Sequence, residues 1–218
     1  MIRNRRRAKK GRPLRRGPNE VMRLKCIVIA SLLSGCASTS PHFYTLVRES
    51  ERNPSGTATA GLRLKVDPVR IPAQVDRLEL VTRLPDGGIA FADGQRWIAP
   101  VADELQSALS VELLRRLGGA DPVDPAGSDS MSVRLNVERF ESAPSRYALI
   151  EASWSLDLKV SRKDVLVVCR TRAYEQVSGG YPELVRGYQR AVGVIADEIA
   201  TVARESAGGV AADCPAGK

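Results

Sequence analysis

From Ile150 to Val160 apolar and polar residues alternate without a break, with Ile150, Ala152, Trp154, Leu156, Leu158 and Val160 set against Glu151, Ser153, Ser155, Asp157 and Lys159. A period of two is that of a pleated strand whose successive side chains leave on opposite faces, so this stretch builds a sheet with one dry and one wet face. Sheets of that kind are antiparallel. Val133, Leu135 and Val137, alternating with Arg134, Asn136 and Glu138, supply a strand before it. Val165 to Gln176 supplies one after it, across a turn at Ser161-Arg162-Lys163-Asp164. The three predict an antiparallel meander.

A dry face needs a cover, and two helical stripes can provide it. Trp97 to Leu117 carries Ile98, Val101, Leu105, Leu109, Leu113 and Leu117 at steps of three or four, with Pro100 in the first turn and Gly118-Gly119 as the stop. Tyr181 to Ala207 carries Leu184, Tyr188, Val192, Ile195, Ile199 and Val202 and ends at Gly208-Gly209. Upstream, Leu62 to Val69 reads as a strand stopped by Pro68. Leu78 to Arg83 and Ile89 to Phe91 form a small hairpin around Pro85-Asp86-Gly87-Gly88, and Asp93-Gly94 turns the chain again. The fold class this implies is α+β. It is a single domain over residues 62–207, with an antiparallel or mixed sheet and two helices packed on one face. Both stripes then need the same apolar side of the sheet, which leaves no obvious ligand pocket.

Residues 22 to 36 decide where that domain works. Arg23 and Lys25 make a positive head, Cys26 to Leu33 an apolar run of eight residues, and Leu33-Ser34-Gly35-Cys36 a small-residue cleavage site. A spanning helix needs about 20 residues, so the run directs export and does not stay as a span. The closing tetrapeptide resembles the bacterial lipobox, in which the cysteine thiol is alkylated with diacylglycerol, the peptide is cut before it, and the new amino terminus is acylated. Residues 22–35 are then a signal peptide and Cys36 the lipidated residue. Ala37 and Ser38 follow where inner-membrane retention usually wants Asp, which favours the outer membrane, facing the periplasm. Residues 36–61 read as a lipid-anchored linker interrupted by His42-Phe43-Tyr44-Thr45-Leu46-Val47, which looks like a short edge strand. As a free coil, about 25 such residues would span roughly 25–30 Å.

The chain as a whole carries a net charge of +8, which would ordinarily suggest nucleic acid or an anionic surface as partner. That excess sits in the leader. Residues 1–21 hold nine Lys/Arg against Glu20, whereas from Cys36 onward 22 basic residues face 24 acidic ones, a net of −2. A nucleic-acid partner loses its support. Residues 1–21 are an unusually long positive head. They read as an extension upstream of a start at Met22, with an extended head or a disordered basic tail as the alternatives. Residues 208–218 form a C-terminal tail.

Beyond Cys36 two cysteines remain, Cys169 and Cys214, an even pair in an oxidising compartment. A bridge between them closes a loop of about 45 residues, worth roughly 4 kcal/mol in the chain-entropy model. One buried and one dangling thiol is the other reading. Catalytic patterns do not emerge. Past the leader there is one histidine, His42, close behind the anchor, and there is no HExxH, CxxC, phosphate-cradling or dinucleotide motif. No metal site and no cofactor is predicted. Asp103-Glu104 and Asp197-Glu198 sit on predicted helices and read as solvated helix faces rather than as paired acid and base.

The lipobox, the His42-Phe43-Tyr44-Thr45-Leu46 segment after it, and the run from Val66-Asp67-Pro68-Val69-Arg70-Ile71-Pro72-Ala73 to Leu80-Val81-Thr82-Arg83 resemble the PqiC/YmbA-type ABC-transport auxiliary lipoproteins. Trp97 and the helix after it extend the likeness over most of residues 36 to 205. Gln74-Val75 and Leu78-Glu79 depart from the family's usual residues. The resemblance implies a non-enzymatic periplasmic subunit in the outer membrane. It would work with an MCE-domain protein and an inner-membrane ABC transporter or permease in lipid transport, and some relatives assemble as homo-oligomeric rings. Asp76, Arg77 and Arg83, polar groups in a turn beside a strand, are the candidate docking contacts; local ion pairing that holds the turn is the other reading. A structural adaptor in another envelope complex, such as secretion or pilus machinery, is the alternative function.

Overall fold

The computed structural model describes residues 40–49, 63–118, 129–160 and 162–215. The expectations for residues 1–21, the signal peptide, Cys36 and the linker apart from residues 40–49 lie outside them. In chain order the described elements are β1 (His42–Tyr44), β2 (Arg63–Val66), β3 (Glu79–Arg83), β4 (Ile89–Trp97), α1 (Val101–Leu117), β5 (Ser130–Ala143), β6 (Tyr147–Val160), β7 (Lys163–Gln176) and α2 (Tyr181–Glu205), with a 3-10 turn at Ser206–Gly208. The class is α+β, as the sequence implies. The strands, however, divide between two mixed sheets instead of forming one, a four-stranded sheet ordered β2-β5-β6-β7 and a three-stranded sheet ordered β1-β4-β3.

The large sheet contains the meander. β5, β6 and β7 are antiparallel, and β2 adds to β5 in parallel. Along β7 the alternation is almost complete: Val165, Val167, Cys169, Thr171 and Ala173 are buried, while Leu166, Val168, Arg170, Arg172 and Tyr174 face solvent. Helix α2 lies on the dry face and buries Leu184, Tyr188, Ala191, Val192, Ile195 and Ile199. Full burial of a Leu or Ile side chain is worth about 1.5–3 kcal/mol, so this face is a principal source of stability. Gly187 allows the close approach, because a Cβ there would stand 2.7 Å from Val177 Cγ2 and 3.2 Å from Ala148 Cβ. Polar groups on this side are satisfied: Trp154 Nε1 donates to Thr171 Oγ1 at 2.9 Å, and Thr171 in turn bonds Glu198 on α2.

The small sheet corrects two readings of the sequence. Trp97 is the last residue of β4, level with Tyr44 of the parallel strand β1, and the helix starts only at Val101. Ile98, one of the expected helix-stripe residues, is exposed. Pro100 precedes the first helical residue and has no N–H to extend the pairing or a helix backward. Asp93-Gly94 does not reverse the chain. Gly94 adopts φ 65° inside β4, at an irregularity where the pairing moves from Val81↔Phe91 to Glu79↔Arg96, as in a bulge. The three extra residues this gives β4, an odd number, return Trp97 to the core side.

Three aromatic rings join the sheets. Phe140 from β5 stacks on Tyr188 from α2 with centroids 4.2 Å apart, and Trp97 meets both edge-on at 6.3 and 6.1 Å. Tyr188 also shares a 2.8 Å hydrogen bond with Ser142. Burial pushes its hydroxyl far above the ordinary tyrosine value, so it stays protonated.

Candidate functional site

Register decides which side chains share the outer face of the small sheet. Val81 lies opposite Phe91, Arg83 opposite Ile89, Glu79 opposite Arg96, and Phe43 beside Arg96 on the other flank. Leu80, Thr82, Ala92 and Trp97 point the other way and are buried. Small residues thus fill the inner side of β4 at Ala90 and Ala92 while large ones stand outside: Phe43 is 59% exposed, and Ile89 and Phe91 are each 58% exposed. The Arg77 guanidinium stacks 4.4 Å over the Phe91 ring. Arg77 and Arg96 share one carboxylate, that of Glu79, at 3.4 and 3.6 Å. The result is an aromatic and aliphatic surface edged with cations.

Beyond β3 the small sheet faces β5 across a cleft of about 410 Å³, with Pro72, Val75, Val81, Ile89 and Phe140 as its apolar lining. The cleft is an open groove, not an enclosed pocket, and it exists because strands in two separate sheets leave a seam between β3 and β5. Glu141 is the polar centre of the seam. It takes Arg83 at 2.9 Å, Arg139 at 3.0 Å and the Tyr147 hydroxyl at 3.1 Å. Burial alone would raise the Glu141 pKa, but hydrogen bonds from Arg83 and Arg139 outweigh it, and the carboxyl titrates below its ordinary value.

The candidate contacts have different local employment. Asp76 Oδ1 accepts the Ala102 N–H at 3.0 Å, so it caps α1 across 26 residues of chain where Pro100 offers no side-chain cap. Arg77 lies on Phe91, and Arg83 crosses the seam to Glu141 while also donating to the Gly87 carbonyl at 3.2 Å. Cys169 and Cys214 are joined as a disulfide with Cα atoms 5.5 Å apart, at β7 and far from this face in sequence.

The reading of Asp103-Glu104 as a solvated helix face is corrected at Glu104, which is 5% exposed. Its Oε2 accepts the Thr45 hydroxyl at 2.8 Å and the Leu46 N–H at 2.7 Å, pinning the segment after β1 to α1. α2 holds the same segment: Gln189 Nε2 donates to the Thr45 carbonyl at 3.1 Å, and Arg48 donates to the Gln189 carbonyl at 3.3 Å. Sequence reasoning also missed Phe43, Ile89 and Phe91 as surface residues. The one available signal was Ala90 and Ala92 alternating with Ile89 and Phe91, small and large. That pattern shows a strand and leaves open which face is dry.

Chemically, the site offers apolar contact, arginine hydrogen bonds and a groove. His42 is exposed on β1. Among the described residues no group of three or more His, Cys, Asp or Glu is arranged to hold a metal ion, and no helix is long and apolar enough to cross a membrane.

Residues 44–200 match the family model described as the ABC-type transport auxiliary lipoprotein component. No curated protein matches the chain. Among solved structures, one titled as the crystal structure of an uncharacterized protein aligns with TM-score 0.55 at 21% identity, covering 77% of this chain and 99% of its own. A Xanthomonas campestris protein described under family DUF330 aligns with TM-score 0.51 at 16% identity, covering 73% and 92%. At these identities the likeness is one of fold.

Proposed function

Because the chain belongs to the family of ABC-type transport auxiliary lipoprotein components, we propose that it is a non-enzymatic subunit of an ABC-type lipid transport system, anchored through acylated Cys36 in the outer membrane. Facing the periplasm, it docks on an MCE-domain partner that connects it to an inner-membrane transporter or permease, and copies of it assemble as a ring. The observation that carries this reading is the extent of the family match, which runs from the end of β1 to the last turns of α2 and so takes in both sheets and both helices. The export signal ending at Cys36 supports the anchor. Three acyl chains would hold it, since two anchoring signals already give stable attachment.

Docking falls to the seam beyond β3. The apolar trough of Val75, Val81 and Phe140 offers burial, and Arg83 at its rim is the cation a partner carboxylate meets. Asp76 contributes by fixing the turn to α1, and Arg77 belongs to the neighbouring outer face.

Capture of the detergent-solubilised, lipidated protein followed by mass spectrometry tests the partner, with an MCE-domain protein as the expected co-purifying chain. Recovery of secretin or pilin subunits instead would move the protein to another envelope complex. Substitution Cys36→Ala should leave the fold intact and release the protein from membranes. A Cys36→Ala protein that stays membrane-bound and active overturns the anchor.

A further inference from the structure

We propose that the outer face of the small sheet, around Phe43 and Phe91, rests on the phospholipid surface of the membrane that holds the anchor. The inference takes its direction from acylation of Cys36 and so rests on that part of the proposed function. It adds which side of the domain meets lipid and through which residues.

Chain length sets the geometry. Four peptide steps separate Cys36 from Ser40, where the described fold begins, and four extended residues reach at most about 14 Å. β1 follows, and seven extended residues hold Phe43 within about 25 Å of the acylated cysteine. A folded domain of about 100 residues has a radius of gyration of about 13 Å, so it would have to fill that gap completely. The nearest surface available to the exposed rings at this flank is then the bilayer itself.

The chemistry of the face agrees. Phe43 and Phe91 are more than half exposed although both sit in strands, and Ile98, 66% exposed, adjoins β1 through its N–H bond to the Tyr44 carbonyl. Rings and aliphatic side chains beside cationic heads suit the boundary between acyl chains and headgroups, where the apolar part enters and the charge stays with phosphate. Arg77 and Arg96 supply the cations. Two guanidiniums share the one Glu79 carboxylate at 3.4 and 3.6 Å, with Asp93 the other exposed carboxylate of β4, which leaves N–H donors for phosphate oxygens. Val81, Arg83 and Ile89 border both this face and the seam beyond β3, so lipid meets the β1 side of the face and a protein partner its β3 side.

The test uses the full lipidated protein reconstituted into phosphatidylethanolamine and phosphatidylglycerol vesicles whose acyl chains carry bromine, which quenches tryptophan on contact. Phe43→Trp places a reporter on the proposed face, and Leu166→Trp places one on the outer face of the large sheet, at a residue 61% exposed. The native Trp97 and Trp154, each 1% exposed, give a common background. The expected result is quenching of the Phe43→Trp signal at least about twice that of Leu166→Trp, as for a ring seated at the headgroup boundary. Equal quenching, or none at position 43, in protein whose mass shows acylated Cys36 overturns the face and leaves the anchor standing. Cross-linking of position 43 to a second copy or to a partner protein also overturns it. Unmodified Cys36 in the membrane form ends the anchor and takes this inference with it.

Discussion

The two sheets of this protein alternate in the same way, yet their outer faces are finished differently. On the large sheet, charges cross from strand to strand: Arg139 to Glu151 at 2.9 Å, Arg172 to the same Glu151 at 3.1 Å, and Arg170 to Glu138 at 2.9 Å. Its exposed apolar residues, Leu166, Val168 and Tyr174, lie on the edge strand β7. The small sheet has fewer charges and looser pairs, and its middle strand turns Ile89 and Phe91 outward. Exposed pairs of the first kind are worth only about 0–1 kcal/mol each, so they keep a face wet more than they hold it together. A face without them, and with rings in their place, is finished for contact.

This contrast has a structural premise, that both sheets close on one core. Trp97→Ala should break it most severely, because Trp97 brings the small sheet to Phe140 and Tyr188. The expected loss is about 3–5 kcal/mol, read from urea unfolding as one cooperative transition. A loss below about 1 kcal/mol would mean that the small sheet is stabilised independently. On the large sheet the matching change is Cys214→Ser, which frees the tail from β7. Its expected cost is about 2–4 kcal/mol, with a melting temperature that no longer responds to reductant. Two titratable thiols in the oxidised native protein would show that Cys169 and Cys214 are not bridged.

Smaller effects distinguish how the pieces are fastened. Glu104→Gln keeps an acceptor but loses the charge that serves Thr45 and Leu46. It should cost about 1–3 kcal/mol and speed amide exchange over residues 42–47 without changing exchange in β6. Least of all is the effect of acid on the seam. Glu141 has a lowered pKa in the folded state, so its contribution is fully present above the unfolded value, about 4.3, and is lost as pH falls below that value through the folded one. Melting temperature should therefore drop below about pH 4.3, and Glu141→Gln should flatten that part of the profile.

How much of this was legible in the sequence depended on the range of the interactions. The meander could be read because each of its strands carries a long alternation, and the stripe of α2 because nothing else competes for it. Trp97 misled because it stands four residues before Val101, a helical spacing, while the interaction that claims it is pairing with Tyr44, more than 50 residues earlier. Asp93-Gly94 has the composition of a turn, and the structure uses it as a kink inside β4. The division into two sheets was hidden for the same reason, since alternation specifies a strand and not its neighbours. At the candidate site, Asp76, Arg77 and Arg83 could be proposed from their place in a polar turn. Phe43 and Phe91 were not, because inward and outward faces differ only through what packs behind them. Glu104 gave no local sign of burial, as its partners Thr45 and Leu46 lie almost 60 residues upstream.

The segment from Tyr44 to Arg48 is tied to a strand, to α1 and to α2 together. A tug arriving at Ser40 is therefore shared at once among three elements with different directions, and no single bond sits at the head of a queue to fail first. On the proposed anchor, the domain would turn as one stiff body, and its first strand would not unzip.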